Sequence, residues 1–471
     1  MKMSEITLWS ANETAKKIAS KEVSVREVTA AHLAQIEALN PNLNLIVDHA
    51  TDAMSEAAAM DQAGPGSDQP LFGVPVTTKI NTDQAGFANT NGVPAFADNI
   101  CKEDSAVVAN LKAAGALVIG RTNTPEFSLR WCTSNPLHGV SLNPWDQSAT
   151  PGGSSGAAAA AVSVGIGAIA HGNDLGGSLR YPAFCCGVAT IRPSMGRIPA
   201  FNPSALVERP PLTQTMSVQG PIARSIADVR SGLKVMARRS ARDPLWHSAK
   251  DSGRLLGDAI KVGYSRNPFA VDISDPAIEK AMDTAVKGLS STGVNVVEMA
   301  LPGADRAAQL WGELLFTECD IMLREPIEKH GSPEMQRLVA EYQRYYGYLD
   351  LPGFVKGMAE RIALQRQISQ MFEDVGFFLM PTSLIRPFEN DLDFKEPSKT
   401  AAIIDAQKPL HVVNLLGLPA VSVPTNVVDG LPVGVQIMAP MHDDWAALDV
   451  AELLEREIGT IWQENPVFKQ A

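Results

Sequence analysis

Two serines in glycine-rich clusters mark the stretch from Ala149 to Pro182, which reads ATPGGSSGAAAAAVSVGIGAIAHGNDLGGSLRYP. The first cluster, Gly152 to Gly156, carries Ser154 and Ser155. The second, Gly176-Gly177-Ser178, places Ser178 24 residues after Ser154. A serine hydroxyl is a weak nucleophile until a base in contact removes its proton, so nucleophilic attack by either serine requires a base. Glycines at such positions permit positive φ and let backbone N–H groups turn inward toward a ligand. Three familiar readings fail. Gly152 to Gly156 matches G-x-S-x-G, but a nucleophile elbow needs a hydrophobic strand leading into it, and Asp146 to Pro151 is polar and ends in proline. No lysine follows either cluster as a phosphate-binding loop requires, and no G-x-G-x-x-G stands at a strand-to-helix turn here. His171, seven residues before Ser178, suggests a Ser-His-Asp triad, but no carboxylate partner can be named, so a satisfied polar side chain is the better reading. His138 and His411 are candidates for pocket walls.

The elements that must hold these serines follow from periodicity. Residues 157–170 are apolar on every side, as in a helix buried all round, so both serine clusters flank one central element and emerge on the same side of the core. The alternating, β-branched run from Leu71 to Ile80 reads as a strand with Lys79 near its end, where apolar neighbours can bury it. Helices are expected over 12–39, ended by Pro41, and over 52–62, 104–114, 275–291 and 354–374. Strands are expected over 116–120, 261–264, 294–299 and 376–380. This alternation predicts an α/β protein with a mixed, twisted sheet covered on both faces by helices. No repeat and no linker-like tract appears, which favours a single domain over 1–471, with the polar stretch 237–258 as the nearest thing to a boundary.

GVPVTTK ending at Lys79, GGSSGA at 152–157 and DLGGSLRYP around Ser178 together resemble the amidase-signature family in order and spacing. The resemblance extends to the N-terminal SKEVSVREV and IEALNPNLN, to GRTNTPEF at 120–127, to GPIARSIAD at 220–228 and to 414–440; residues 232–375 carry little of it. It implies an N-terminal helical segment (about 1–65), a signature core (70–230), a variable pocket region (232–375) and a return to the core (376–471). It also implies a serine–serine–lysine triad: Ser178 as nucleophile, Ser154 as proton relay and Lys79 as base. A lysine at a strand end is ordinarily solvated, so this role rests on the match; it needs a pKa lowered from about 10.4 toward neutrality, which burial can achieve. The family further implies a cis peptide before Ser154, an oxyanion hole from the backbone N–H groups of Leu175, Gly176, Gly177 and Ser178, and support from Ser155, Asp174 and Arg180. Two positions depart from the usual pattern: Ala157 replaces a second glycine, and Asn173 stands where threonine is commoner.

Composition narrows the class. Lys and Arg total 40 against 52 for Asp and Glu, a net charge of −12, with no dense basic run, which argues against a nucleic-acid partner. The five cysteines show no CxxC, and no His/Cys/Asp/Glu cluster has metal-ligand spacing, so neither metal nor cofactor is expected. No signal-peptide pattern and no 18-residue apolar run occurs, so a cytoplasmic enzyme without a membrane span is expected. A homodimer is compatible with all of this. The expected activity is cleavage of a small-molecule amide to an acid and ammonia or an amine through an acyl-serine. One rival is the glutaminase subunit of a tRNA-dependent amidotransferase, whose glutamine-recognising aspartate aligns with Gln407 and whose carboxylate-binding arginine aligns loosely with Arg361. The other is a non-catalytic scaffold that kept the fold. Pocket walls are expected from 128–147, 200–216 and 305–360, which carry Trp131, Trp145, Phe201, Trp311, Phe316, Tyr342, Tyr345 and Tyr346 and so mildly favour an aryl amide.

Overall fold

The computed structural model describes residues 3–205, 207–248 and 260–469. Its centre is an eleven-stranded sheet. Across the sheet the strands are Ile46–His49, Leu117–Thr122, Pro75–Lys79, Ile169–Asp174, Val218–Ala223, Ala189–Arg192, Ala420–Val428, Leu431–Met438, Phe377–Pro381, Lys261–Tyr264 and Asn295–Glu298. Pro75–Lys79 runs parallel to both of its neighbours, whereas the middle of the sheet is antiparallel, so the sheet is mixed as expected. Helices cover both faces. Gly156–Ser163 and Arg180–Cys186 pack on each other and on the central strands, and Ile226–Met236, Pro276–Ser291 and Asp444–Ile458 form a second packed layer. Among the described residues no helix is long and apolar enough to cross a membrane.

The apolar run 157–170 is not one helix. Its helix spans Gly156–Ser163, a turn follows at Gly165 (φ +78°) and Gly167 (φ +76°), and Ile169–Asp174 is a central strand. The run is apolar because both elements are buried: the helix alanines and the strand residues from Ile169 to His171 have no exposed surface to speak of. Periodicity cannot separate a buried strand from a buried helix, and the two glycines with left-handed backbone were the discriminating signal. Because the strand returns alongside the helix, the two serine clusters still reach the same end of the sheet.

The N-terminal helical reading also needs division. Residues 12–39 form two helices, Ala11–Ala19 and Val25–Leu43, the second opened by a capping box in which Ser24 and Glu27 satisfy each other's backbone N–H. Pro41 does not end that helix; it lies in the last turn, and Asn44 in the left-handed region stops it. Of the polar stretch 237–258, the first part is anchored by Trp246 Nε1 donating to Ala237 O and His247 N to Gly196 O, while 249–258 lies outside the described residues.

Candidate active site

Lys79 ends the strand Pro75–Lys79, and Asn173 and Asp174 end its parallel neighbour Ile169–Asp174, so all three reach the carboxyl end of the same strand pair. Open α/β sheets place ligands in the crevice beyond such ends. The helix Gly156–Ser163 starts at this end, which puts Ser154 and Ser155 at its N-terminus. The peptide Gly153–Ser154 is cis. Thr124 Oγ1 donates to Ser154 O at 3.1 Å and Thr133 Oγ1 to Gly152 O at 2.8 Å, holding the loop from below.

Lys79 is fully buried. Its Nζ lies 2.7 Å from Ser154 Oγ, 2.8 Å from Asn173 Oδ1 and 3.1 Å from Ser155 Oγ. Burial drives its pKa well below the ordinary lysine value, opposed by the charge of Asp174. The helix N-terminus beside it acts in the same direction as burial, since its partial positive charge disfavours an ammonium. Ser178 is 8% exposed and lines the same cavity as Ser154 and Asn173.

The loop between Asp174 and Arg180 is tied down by one buried ion pair. Arg180 Nε lies 3.1 Å from Asp174 Oδ2, and the guanidinium also donates to Asn414 Oδ1, Gln436 Oε1 and Leu410 O. Burial by itself would raise the Asp174 carboxyl, but Arg180, Arg192 and Asn414 together outweigh it and hold that carboxyl well below the usual range. Asp174 accepts from Gly177 N at 2.8 Å and Leu179 N at 3.2 Å. Of the four amides expected to face an oxyanion, that of Gly177 is therefore engaged, whereas no partner for the N–H of Leu175, Gly176 or Ser178 is found among the described residues. Gly177 has φ +98°, and a Cβ there would meet Leu410 Cδ1 at 2.3 Å, so no larger residue fits.

Two indoles take the loop's carbonyls. Trp311 Nε1 donates to Leu175 O at 3.0 Å and Trp131 Nε1 to Gly176 O at 2.9 Å. His411 stacks on Trp311 with ring centroids 3.9 Å apart and lies 5.5 Å from Trp131. Burial keeps its pKa well below the usual histidine value. Trp311, Phe316, Tyr342 and Tyr346 continue this aromatic cluster behind the loop. These rings are scaffold rather than pocket wall.

The cavity beside Ser178 has a volume of about 410 Å3. It takes walls from all three expected regions, through Leu129, the segment around Phe201 to Pro210, and Leu315, Cys319 and Met322 of the helix Ala304–His330. Of the eight aromatic residues expected to line it, only Phe201 does; Trp145 instead donates to Cys186 O and Tyr345 to Asp405. Phe127 is an unforeseen aromatic wall. Asn81 and Asn91, outside the expected wall segments, form a polar strip with Ser128, and isolated loop asparagines gave no sequence signal for it.

The remaining candidates lie elsewhere. His171, within the strand Ile169–Asp174, is bonded to Gln219 Oε1 at 2.7 Å, and burial lowers its pKa to about 4, so it is a neutral structural histidine. His138 and His411 do not line the cavity. Arg361 donates to Leu415 O at a helix end, and Gln407 to Ser383 Oγ; neither lines the cavity. Among the described residues one cluster, Cys132 with Asp391 and Asp393, has the spacing of a cation site. Arg130 occupies it, at 2.7 Å from Asp391 and 2.6 Å from Asp393. All five cysteines are free and buried.

Comparison with known proteins places the chain in a family. The chain is 42% identical over 457 residues to an indoleacetamide hydrolase of Bradyrhizobium diazoefficiens, covering 96% of this chain and 87% of that protein. It is 29% identical to a glutamyl-tRNA(Gln) amidotransferase subunit of Synechococcus sp., covering 94% of this chain and 96% of that protein. Its fold superposes on a bacterial aryl acylamidase of the amidase signature enzymes with a TM-score of 0.84 at 24% identity, covering 98% of each chain. The family described as Amidase matches residues 27–448. With that match running from the capped N-terminal helix to the C-terminal layer, the chain belongs to the amidase-signature family and is a hydrolase of amide carbon–nitrogen bonds.

Proposed function

We propose that the enzyme hydrolyses the primary amide of an arylacetic acid, releasing ammonia through an acyl-Ser178 intermediate. The observation that carries the mechanism is the 2.7 Å contact between a fully buried Lys79 Nζ and Ser154 Oγ. A lysine so placed is held toward its neutral form and can accept a proton. Lys79 takes the hydroxyl proton of Ser154 as Ser154 takes that of Ser178, and Ser178 Oγ attacks the amide carbon. The N–H groups of Leu175, Gly176 and Ser178 receive the developing oxyanion. The proton then returns along the same path to the departing nitrogen, and water repeats the sequence on the acyl-enzyme.

The arylacetamide preference is supported by the likeness to the indoleacetamide hydrolase and by the cavity's apolar side, where Phe127, Leu129, Leu315 and Met322 offer an aryl group a dry surface. One continuous sheet and one dominant core cluster support treating the whole chain as a single folding unit. The test is ammonia release from indole-3-acetamide, phenylacetamide, aliphatic amides and glutamine, with Ser178→Ala as control. Turnover of the arylacetamides that vanishes in Ser178→Ala is expected. Turnover confined to glutamine, or activity surviving the substitution, would overturn the proposal.

A further inference from the structure

Lys79 Nζ has three oxygen neighbours within hydrogen-bonding distance: Ser154 Oγ, Ser155 Oγ and Asn173 Oδ1. A neutral amine has two N–H bonds and one lone pair, so one neighbour must present a hydrogen and the other two must accept. Asn173 can only accept. Its Nδ2 is committed to Asn81 Oδ1 at 2.8 Å, which turns Oδ1 to the lysine. Asn81 is held in turn, since its Nδ2 donates to Ser128 Oγ at 2.9 Å and Ser128 donates to Asn91 Oδ1 at 2.6 Å. Ser155 also accepts, because its hydroxyl donates to Asn173 O at 3.3 Å and leaves a lone pair toward Nζ. Ser154 alone remains to offer its hydrogen.

We propose that Asn173 is a positioning residue that aims the base: with Ser155 it binds the two N–H groups of neutral Lys79 and turns the lone pair onto the Ser154 hydroxyl. This rests on the reading of Lys79 as the general base. It also gives the amide at 173 a purpose that a carboxylate could not serve, since a negative charge there would hold the lysine protonated. The charged and titratable groups around Lys79 leave that balance open. Asp174, next to Asn173 on the neighbouring strand, favours the ammonium but is paired with Arg180. His171 Nδ1 lies 3.5 Å from the Lys79 amide and is neutral, and Arg121, from the adjacent strand, is paired with Asp48.

The experiment is the pH dependence of kcat/KM for Asn173→Asp, Asn173→Leu and Asn173→Thr, with Lys79→Ala alongside. Asn173→Asp is expected to move the acid limb upward by about 1–3 units, the effect of an adjacent opposite charge, so that activity at neutral pH falls about tenfold or more and recovers in alkali. Asn173→Leu is expected to lower kcat about tenfold with little change in KM, because the lysine loses one of two orienting acceptors. Asn173→Thr, which keeps an acceptor, should recover most of that loss. If Lys79→Ala is inactive while the limb stays fixed in Asn173→Asp and kcat is unchanged in Asn173→Leu, the positioning role is refuted and the base stands. If Lys79→Ala remains active, the base assignment itself fails. Should Asn173→Asp not fold, the Leu and Thr pair decides the matter alone.

Discussion

Replacing Trp311 by phenylalanine tests whether the loop amides face the site because the loop carbonyls are held from behind. In a trans peptide the C=O and the following N–H point in opposite directions. Trp311 binds Leu175 O, so it sets the direction of the Gly176 N–H, one of the three amides for which no partner is found among the described residues. Trp131 binds Gly176 O and so sets the Gly177 N–H, which is spent on Asp174. The two substitutions should therefore differ in kind. Phenylalanine keeps a ring near His411, where the indole stacks at 3.9 Å, and removes the N–H donor together with part of the indole's volume, a loss of volume that Trp131→Phe shares. A buried carbonyl left without its partner costs about 1–3 kcal/mol. If that cost appears as a misdirected Gly176 amide in the transition state, kcat falls about 5- to 150-fold, short of or within the roughly 100- to 1,000-fold typical of losing a whole oxyanion donor. Trp131→Phe should lose comparable stability with a much smaller change in kcat. Steady-state kinetics on the preferred amide, with urea midpoints for both variants, separates the cases. Equal loss of stability with kcat unchanged in Trp311→Phe would refute the reasoning.

Three further outcomes follow from the same geometry. Arg180→Met should destabilise the protein by about 3–5 kcal/mol, because it strands the buried Asp174 carboxylate; urea denaturation would measure it, and a loss under about 1 kcal/mol would contradict the pairing. Activity should fall on acidification through a single limb belonging to Lys79, whose pKa burial lowers, since only the neutral amine accepts a proton; Lys79→Arg, which cannot shed its proton, should be inactive at every pH tested. Burial, with Glu452 and Asp228 nearby, raises the Glu455 carboxyl to about 7 from 4.5. The folded state therefore keeps a proton that the unfolded chain releases, so this group's stabilising contribution is complete below 4.5 and is lost as pH rises through 7. Glu455→Gln should remove that slope and raise the thermal midpoint at about pH 8, and an unchanged midpoint would count against it.

The parts legible in the sequence were those set by local pattern. Strand and helix positions from Leu117–Thr122 to Phe377–Pro381 follow two- and 3.6-residue periodicities that a short window contains. The three motifs around Lys79, Ser154 and Ser178 carry their order and spacing in the chain itself, and the lysine and Ser154 do meet. The run 157–170 misled because total burial erases periodicity, so helix and strand look alike until the two glycines are taken as a turn.

What only the tertiary structure decided is which atoms face which. Trp131 and Trp311 read as pocket walls because an aromatic side chain has the same letter whether it touches a substrate or a loop carbonyl; 45 and 136 residues separate them from the carbonyls they bind. In the sequence Asn173 is only a departure from the commoner threonine, because the direction of its amide is fixed by Asn81, which is 92 residues away. Residue types and local spacing, which the chain states outright, determined the fold class and singled out the candidate reactive groups. Orientation arises only when distant segments close against one another, and the proposed base, relay and oxyanion amides depend on it.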